Sequence, residues 1–158
     1  MEIERKYLVR ELPDNLDSFP HTEIEQAYLS TSPTLRIRRM GDTFILTVKE
    51  RRRTSTTAIV NREEEFALSA ESYERLRGKC DGNPVSKTRY RIPLLDGLTA
   101  ELDIFHGAHA GLLLVEVEFP TLAAADAFLP PAWFGPDVSQ DPRYRNSWLA
   151  FNNCIPNQ

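Results

Sequence analysis

Glu2-Ile3-Glu4-Arg5-Lys6-Tyr7 opens the chain with strict alternation. Glu2, Glu4 and Lys6 fall on one side and Ile3, Arg5 and Tyr7 on the other, the period of a β-strand with one polar face. Leu35-Arg36-Ile37-Arg38 repeats the pattern, and the run from Phe44 to Lys49 continues it after Gly41-Asp42, a pair that reads as a two-residue hairpin turn. Further strands are expected at Glu23 to Ser30, Ile59 to Leu68, Val85 to Leu94, Leu98 to Phe105 and Leu112 to Phe119, with Asp96-Gly97 as a second hairpin signal. Ser69 is a good N-cap for a helix running to about Arg77 and stopped by Gly78. Thr121 opens a short helix to Leu129, which Pro130-Pro131 must end, and a last helix is expected over Arg143 to Phe151. The segment Pro130 to Pro136, with Trp133 and Phe134, reads as a loop packed on the sheet. About eight mostly antiparallel strands suffice to close a barrel. The expected class is α+β dominated by β: a closed eight-stranded antiparallel β-barrel with a few flanking helices.

At 158 residues the chain has the size of one domain, taken as residues 1–158, and can bury a core without staples. A formal net charge of −4 and a pI near 5.4 supply no basic field, so no nucleic-acid partner is expected. No apolar run approaches the ~20 residues that span a bilayer, and Met-Glu-Ile-Glu does not resemble a signal peptide. No membrane association is therefore expected. Cys80 and Cys154 have no zinc-site spacing and are read as free thiols of a cytoplasmic protein. A homodimer is left open.

The polar strand faces carry the chemistry. By alternation they present Glu2, Glu4, Lys6; Arg36, Arg38; Lys49; Glu63, Glu65; Lys87, Arg89; Glu101, Asp103; and Glu116, Glu118. Leu35, Ile37, Phe66, Leu68, Leu102, Ile104, Val115, Val117 and Phe119 occupy the opposite faces. Each charged pair alone reads as a solvated sheet face. As a set, charges at i and i+2 on nearly every strand fit a sheet closed with its apolar face outward beneath the helices. Charges gathered on a barrel axis are costly unless paired or given ligands. The bases suit a polyanion, and carboxylates with few histidines suit Mg²⁺ or Mn²⁺ rather than zinc.

Glu2-Ile3-Glu4-Arg5-Lys6 resembles the ExExK signature of the CYTH superfamily, the triphosphate tunnel metalloenzymes. The resemblance runs from about residue 2 to 151 and takes in Leu35-Arg36-Ile37-Arg38, Thr47-Val48-Lys49, Glu63 to Glu65, Lys87-Thr88-Arg89-Tyr90, Glu101-Leu102-Asp103, Val115-Glu116-Val117-Glu118 and Asp141-Pro142-Arg143-Tyr144-Arg145-Asn146. It implies an eight-stranded tunnel that binds a triphosphate with Mg²⁺ or Mn²⁺. Glu2 and Glu4 with Glu116 and Glu118 would be the main metal ligands, and Glu63, Glu65, Glu101 and Asp103 complete the candidate set. Lys6, Arg36, Arg38, Lys49, Lys87 and Arg89 would clamp phosphates. The chain departs from the family's Glu-x-Glu fifth strand, since Arg62 precedes Glu63-Glu64-Glu65-Phe66. Glu63 and Glu65 are placed inward because Phe66 and Leu68 then face outward; a one-residue slip would turn Glu64 inward and push Phe66 into the tunnel.

Lys87, Tyr28 and Glu4 are the catalytic candidates. Lys87 among basic neighbours should have a lowered pKa and could stabilise the leaving group or act with Tyr28 as an acid/base pair. Tyr28 faces inward if Gln26, Tyr28 and Ser30 keep the strand period; otherwise it is a packed aromatic of the tunnel wall. Glu4 acts through the metal it would hold. His106 and His109 lie in a Gly-rich loop and are read as rim residues, and His21 carries no signal. Tyr144, Arg145 and Asn146 open the last helix, which could plug one mouth and bring Arg145 to a phosphate. The leading activity is hydrolysis of inorganic triphosphate to diphosphate and phosphate. Thiamine triphosphatase and adenylate cyclase are the enzymatic alternatives, and a non-catalytic polyphosphate or nucleotide-binding module is the alternative of another class.

Overall fold

The computed structural model describes residues 1–52 and 55–156. Period-two alternation produces nine strands: β1 (Glu2–Val9), β2 (His21–Thr31), β3 (Thr34–Met40), β4 (Thr43–Arg52), β5 (Ile59–Leu68), β6 (Asp81–Pro93), β7 (Thr99–Phe105), β8 (Leu113–Glu118) and β9 (Phe134–Asp137). They form one sheet in the order β5-β4-β3-β2-β6-β7-β8-β1-β9, and a further antiparallel pairing of β5 with β1 closes the first eight into a barrel. That closure is short: Glu2 opposite Asn61, Ile3 opposite Val60 and Glu4 opposite Ile59. Beyond it, β1 continues along β8 from Glu4 to Leu8 and takes β9 on its other side at Tyr7 and Val9.

Three helices lie against the barrel: α1 (Ala70–Arg77), α2 (Leu122–Ala127) and α3 (Asn146–Phe151). The Ser69 hydroxyl accepts from the Ser72 N–H and the Thr121 hydroxyl from the Ala124 N–H, so both expected N-caps hold their helices. Much of the outward face of the sheet is apolar and covered. Tyr73 of α1 packs on Ala27 and Ile37. Tyr7, Leu102, Val115, Val117 and Phe119 pack with Ala125, Phe128 and Phe134. Phe66 is an exception: it points outward and stays half exposed, at 52%.

Several boundaries differ from the sequence reading. The Pro130 to Pro136 segment holds most of β9, a four-residue edge strand; Gly135 brings it so near β1 that an added Cβ would sit 3.2 Å from the Leu8 backbone, a tight contact. The last helix does not run from Arg143. Pro142–Tyr144 forms a 3₁₀ turn in which the Asp141 carboxylate accepts from the Arg143 N–H, Arg145 is extended, and α3 begins only at Asn146. Asp96-Gly97 does lie in the connection of the β6–β7 hairpin, as expected, but that connection runs from Leu94 to Leu98, with positive φ at both Asp96 and Gly97. The helix from Thr121 stops at Ala127, because Phe128 is already extended ahead of the two prolines.

The barrel interior is divided. At one end the inward residues are apolar: Tyr28, Val85, Phe105, Leu112 and Leu114 pack with Tyr144, Leu149 and Ala150. Thus α3 and the turn before it close this end with a small core, and the charges occupy the remainder. Gly82 makes the contact with α3 so close that an added Cβ would sit 2.6 Å from the Ala150 carbonyl oxygen, at a φ of +69°. Gly82→Ala is expected to lower stability by about 2 kcal/mol, from combined overpacking and left-handed strain. Urea unfolding reads the effect, and a midpoint equal to wild type would refute the contact.

Candidate active site

The tunnel holds a cavity of about 680 Å³ lined by side chains from β1 through β8 and from the start of α3. Lys6, Arg36, Arg38, Lys49, Lys87 and Arg89 line it, as do Glu2, Glu4, Glu63, Glu65, Glu101, Glu116 and Glu118. Tyr28 and Arg145 also reach it. Glu63 and Glu65 face the cavity, whereas Glu64 pairs with Arg62 outside at 3.1 Å.

The basic wall is built around Asp103. Its carboxylate is 1% exposed and accepts a bidentate fork from Arg89, Nε and Nη2 each at 2.8 Å. The Lys87 ammonium lies 2.7 Å from Oδ2 and donates to Asn146 Oδ1 at 3.1 Å. Arg89 also donates to Glu101 at 3.1 Å. Both Asp103 oxygens are thereby taken, and the residue is not among those lining the cavity. Burial alone would raise its pKa, but Arg89 and Lys87 outweigh that and hold it below the usual value. Lys87 is pushed down to about 8, first by burial, with Arg89 adding to the effect against the pull of Asp103.

The ion pairs of the opposite wall are longer on the whole. Lys49 Nζ lies 2.9 Å from Glu2 and 3.6 Å from Glu63, and Asn61 donates to Glu2 at 3.1 Å. Lys6 Nζ donates to the Tyr144 carbonyl at 3.0 Å and stands 3.4 Å from Glu116. Arg36 and Arg38 approach Glu63 and Glu65 only to 3.9 and 3.7 Å, and each keeps a buried Nε without a partner. These guanidiniums have bonds to spare for an anion.

Carboxylates, conversely, crowd one another. Glu4 stands directly opposite Glu118 and Glu101 directly opposite Glu116 in the strand register, pairings that destabilise a sheet unless something neutralises them. Glu63 Oε2 is buried without a hydrogen bond. Burial first, and then the Glu116 charge, push Glu4 up to about 8. Burial would also raise Glu116, but Lys6, Arg89 and Lys87 hold it well below the ordinary range. Among the described residues no three such side chains are already drawn together as a ligand cluster. The donor set is nevertheless all oxygen, and burial and neighbouring carboxylates push Glu4 and Glu118 up, which fits a hard divalent cation.

The raised Glu4 pKa has a sign. The folded state holds a proton that the unfolded chain releases near pH 4.5, so this contribution to stability is complete below pH 4.5 and is lost as pH rises through about 8. Metal-free protein should therefore lose stability between pH 5 and 8 in urea titrations, and Glu4→Gln should flatten that slope. An unchanged slope in the variant would assign the proton elsewhere.

The histidines lie off the cavity. His106 Nε2 is 2.7 Å from the Thr88 hydroxyl, on the strand face opposite Lys87, and His109 Nε2 is 2.7 Å from the Asn152 carbonyl. Asn61, Gln26 and Asn146 belong to the site's hydrogen bonds but carry no charge, so a search for charged alternation passes over them.

Comparison with known proteins places this geometry. The CYTH domain family model matches residues 1–122. An inorganic triphosphatase of Nitrosomonas europaea is 41% identical over 155 residues, covering 96% of this chain and 97% of the relative. An inorganic triphosphatase of Acetivibrio thermocellus is 34% identical over 155 residues, with 96% and 94% covered. Among solved structures, a crystal structure of an inorganic triphosphatase superposes with a TM-score of 0.70 at 39% identity, covering 99% of this chain and 97% of that one.

Proposed function

Since the chain belongs to the CYTH domain family, we propose that it hydrolyses inorganic triphosphate to diphosphate and phosphate with a divalent cation. The observation that carries the reading is one cavity in which under-bonded guanidiniums face a crowd of carboxylates. The cations bind the polyanion, while the carboxylates have a use only if a cation accompanies it.

Glu2, Glu4, Glu116 and Glu118 would hold the cation, which we take to be Mg²⁺ or Mn²⁺ because every donor is a carboxylate oxygen. When bound, such an ion neutralises phosphate charge and acidifies water. Glu63, Glu65 and Glu101 also line the cavity and serve as outer carboxylates that keep Arg36, Arg38, Arg89 and Lys49 in place. Asp103 acts from behind the wall on Lys87 and Arg89 rather than as a ligand, because its oxygens are already taken. Lys6, Arg36, Arg38, Lys49 and Arg89 clamp phosphate oxygens, and Arg145 contributes from the closed end. With two of its three hydrogens directed at Asp103 and Asn146, Lys87 has one left for the leaving phosphate oxygen. A pKa near 8 lets it give that oxygen a proton. Tyr28, buried at the cavity edge, would donate a hydrogen bond to the substrate.

No helix of the described residues is long and apolar enough to cross a membrane. With two free cysteines, we assign the protein to a reducing cytoplasm. Phosphate release from tripolyphosphate, ATP and thiamine triphosphate, each with Mg²⁺, Mn²⁺ or EDTA, tests the reading. Tripolyphosphate should turn over fastest, and EDTA should stop it. Binding without turnover would leave a non-catalytic module, and faster turnover of either organic triphosphate would reassign the substrate.

A further inference from the structure

Gln26 and Tyr28 stand two residues apart on the tunnel face of β2. Gln26 is fully buried, level with Arg38 of β3 and Val85 of β6. A buried amide is costly unless its donors and acceptor are used. Here its Nε2 donates to the Tyr28 hydroxyl oxygen at 3.1 Å, and its Oε1 has no partner. An amide so incompletely bonded is poorly explained as a packing residue, so its bond to Tyr28 needs a purpose.

That bond decides where the Tyr28 hydrogen goes. The phenol oxygen accepts from Gln26, so its own hydrogen is free to be donated elsewhere. The ring belongs to an apolar cluster with Val85, Phe105, Leu114 and Leu149. Arg36, directly across β3 from Tyr28, and Arg38, directly across from Gln26, carry guanidiniums without an acceptor. The ammonium of Lys87, on the same wall, has none either. Among the described residues the Tyr28 hydroxyl donates no hydrogen bond, so an anion in the cavity is an available acceptor.

We propose that Gln26 is a positioning residue: it holds the Tyr28 hydroxyl as a hydrogen-bond donor aimed at a phosphate oxygen of the bound triphosphate. No proton is transferred in this step; the phenol donates a hydrogen bond to charge that grows on the phosphate as the anhydride opens. The inference rests on the reading of the cavity as a triphosphate site with Tyr28 at its edge.

The test is a cycle of Gln26→Met, Tyr28→Phe and the double variant, assayed on tripolyphosphate at saturating Mg²⁺, with far-UV circular dichroism confirming the fold. Loss of one aimed hydrogen bond should lower kcat about tenfold with KM little changed. The double variant should be no slower than Tyr28→Phe, since Gln26 acts only through that hydroxyl. Gln26→Glu keeps the shape but reverses the bond, because its carboxylate captures the phenol hydrogen; its kcat should fall at least as far. If Tyr28→Phe is impaired while Gln26→Met keeps wild-type kcat, or if the two losses multiply, the inference fails and the role of Tyr28 survives. A higher kcat for Gln26→Met would mean that Tyr28 donates to Gln26, which also overturns it. Full activity of Tyr28→Phe would remove Tyr28 from the mechanism and the inference with it, and a wild-type protein without turnover would overturn both.

Discussion

Glu4→Gln should reduce metal-dependent triphosphate hydrolysis on the order of a hundredfold or more while leaving the metal-free fold intact. The change is nearly isosteric. At pH 7 the metal-free protein already keeps Glu4 protonated, because burial and the Glu116 charge raise its pKa to about 8. A neutral amide in that position therefore mimics the resting state. What it cannot do is give up a proton and become a charged ligand. Losing even an outer partner of a metal ligand costs roughly 10–100-fold in affinity or activity, and a direct ligand's charge is worth at least as much. Turnover measured across a metal titration separates weakened binding, which excess Mg²⁺ restores, from a lost step, which it does not. Full activity at low metal would exclude Glu4 from the metal site.

Asp103→Ala should be the most damaging substitution for folding. Lys87 and Asp103 are both 1% exposed and Arg89 is 7% exposed, so removing the carboxylate strands two buried cations. Breaking a buried ion pair from one side costs roughly 3–5 kcal/mol, or a fall in melting temperature on the order of 10 °C for a domain of this size. Measuring in EDTA removes any contribution from metal. The pH dependence identifies the cause. Asp103 has a lowered pKa in the fold despite its burial, because Arg89 and Lys87 oppose that effect. Its contribution is present above the ordinary carboxylate pKa near 4 and lost as pH falls through the folded value, so wild type and variant should converge in acid. A difference below about 0.5 kcal/mol at neutral pH would show that the network is not holding the wall together.

Most of the barrel was legible because alternation is a direct consequence of strand geometry. Glu2-Glu4-Lys6 or Arg36-Arg38 cannot share a face in any other regular structure, and the strong apolar faces of Leu102, Val115 and Val117 fixed which side turned outward. β9 left almost no trace. It has four residues with Gly135 and Pro136 among them, and its pairing to β1 was set by the approach of Gly135 to Leu8, a contact between residues far apart in sequence. In the site, charge was visible and neutral partners were not. Asp103 looked like any other inward carboxylate; only the fork from Arg89 and the Lys87 contact give it a different task. Gln26 and Asn146 could be found only through the atoms they touch.

The short closure between β1 and β5 bears on how the protein acquires its shape. Strand β1 precedes the other strands in sequence, yet its neighbours are β5 from mid-chain and β8 and β9 from the later part. Hairpins link β2 to β5 and β6 to β8 locally and form quickly, whereas β2 must find β6 across the sequence, and β1 must find both β5 and β8. Its docking then joins the two ends of the sheet, and with it Glu2, Glu4 and Lys6 reach the cavity. The ring and the proposed cation site are thus completed by the same docking. A chain stalled before that step would carry most of the barrel's strands and no chemistry.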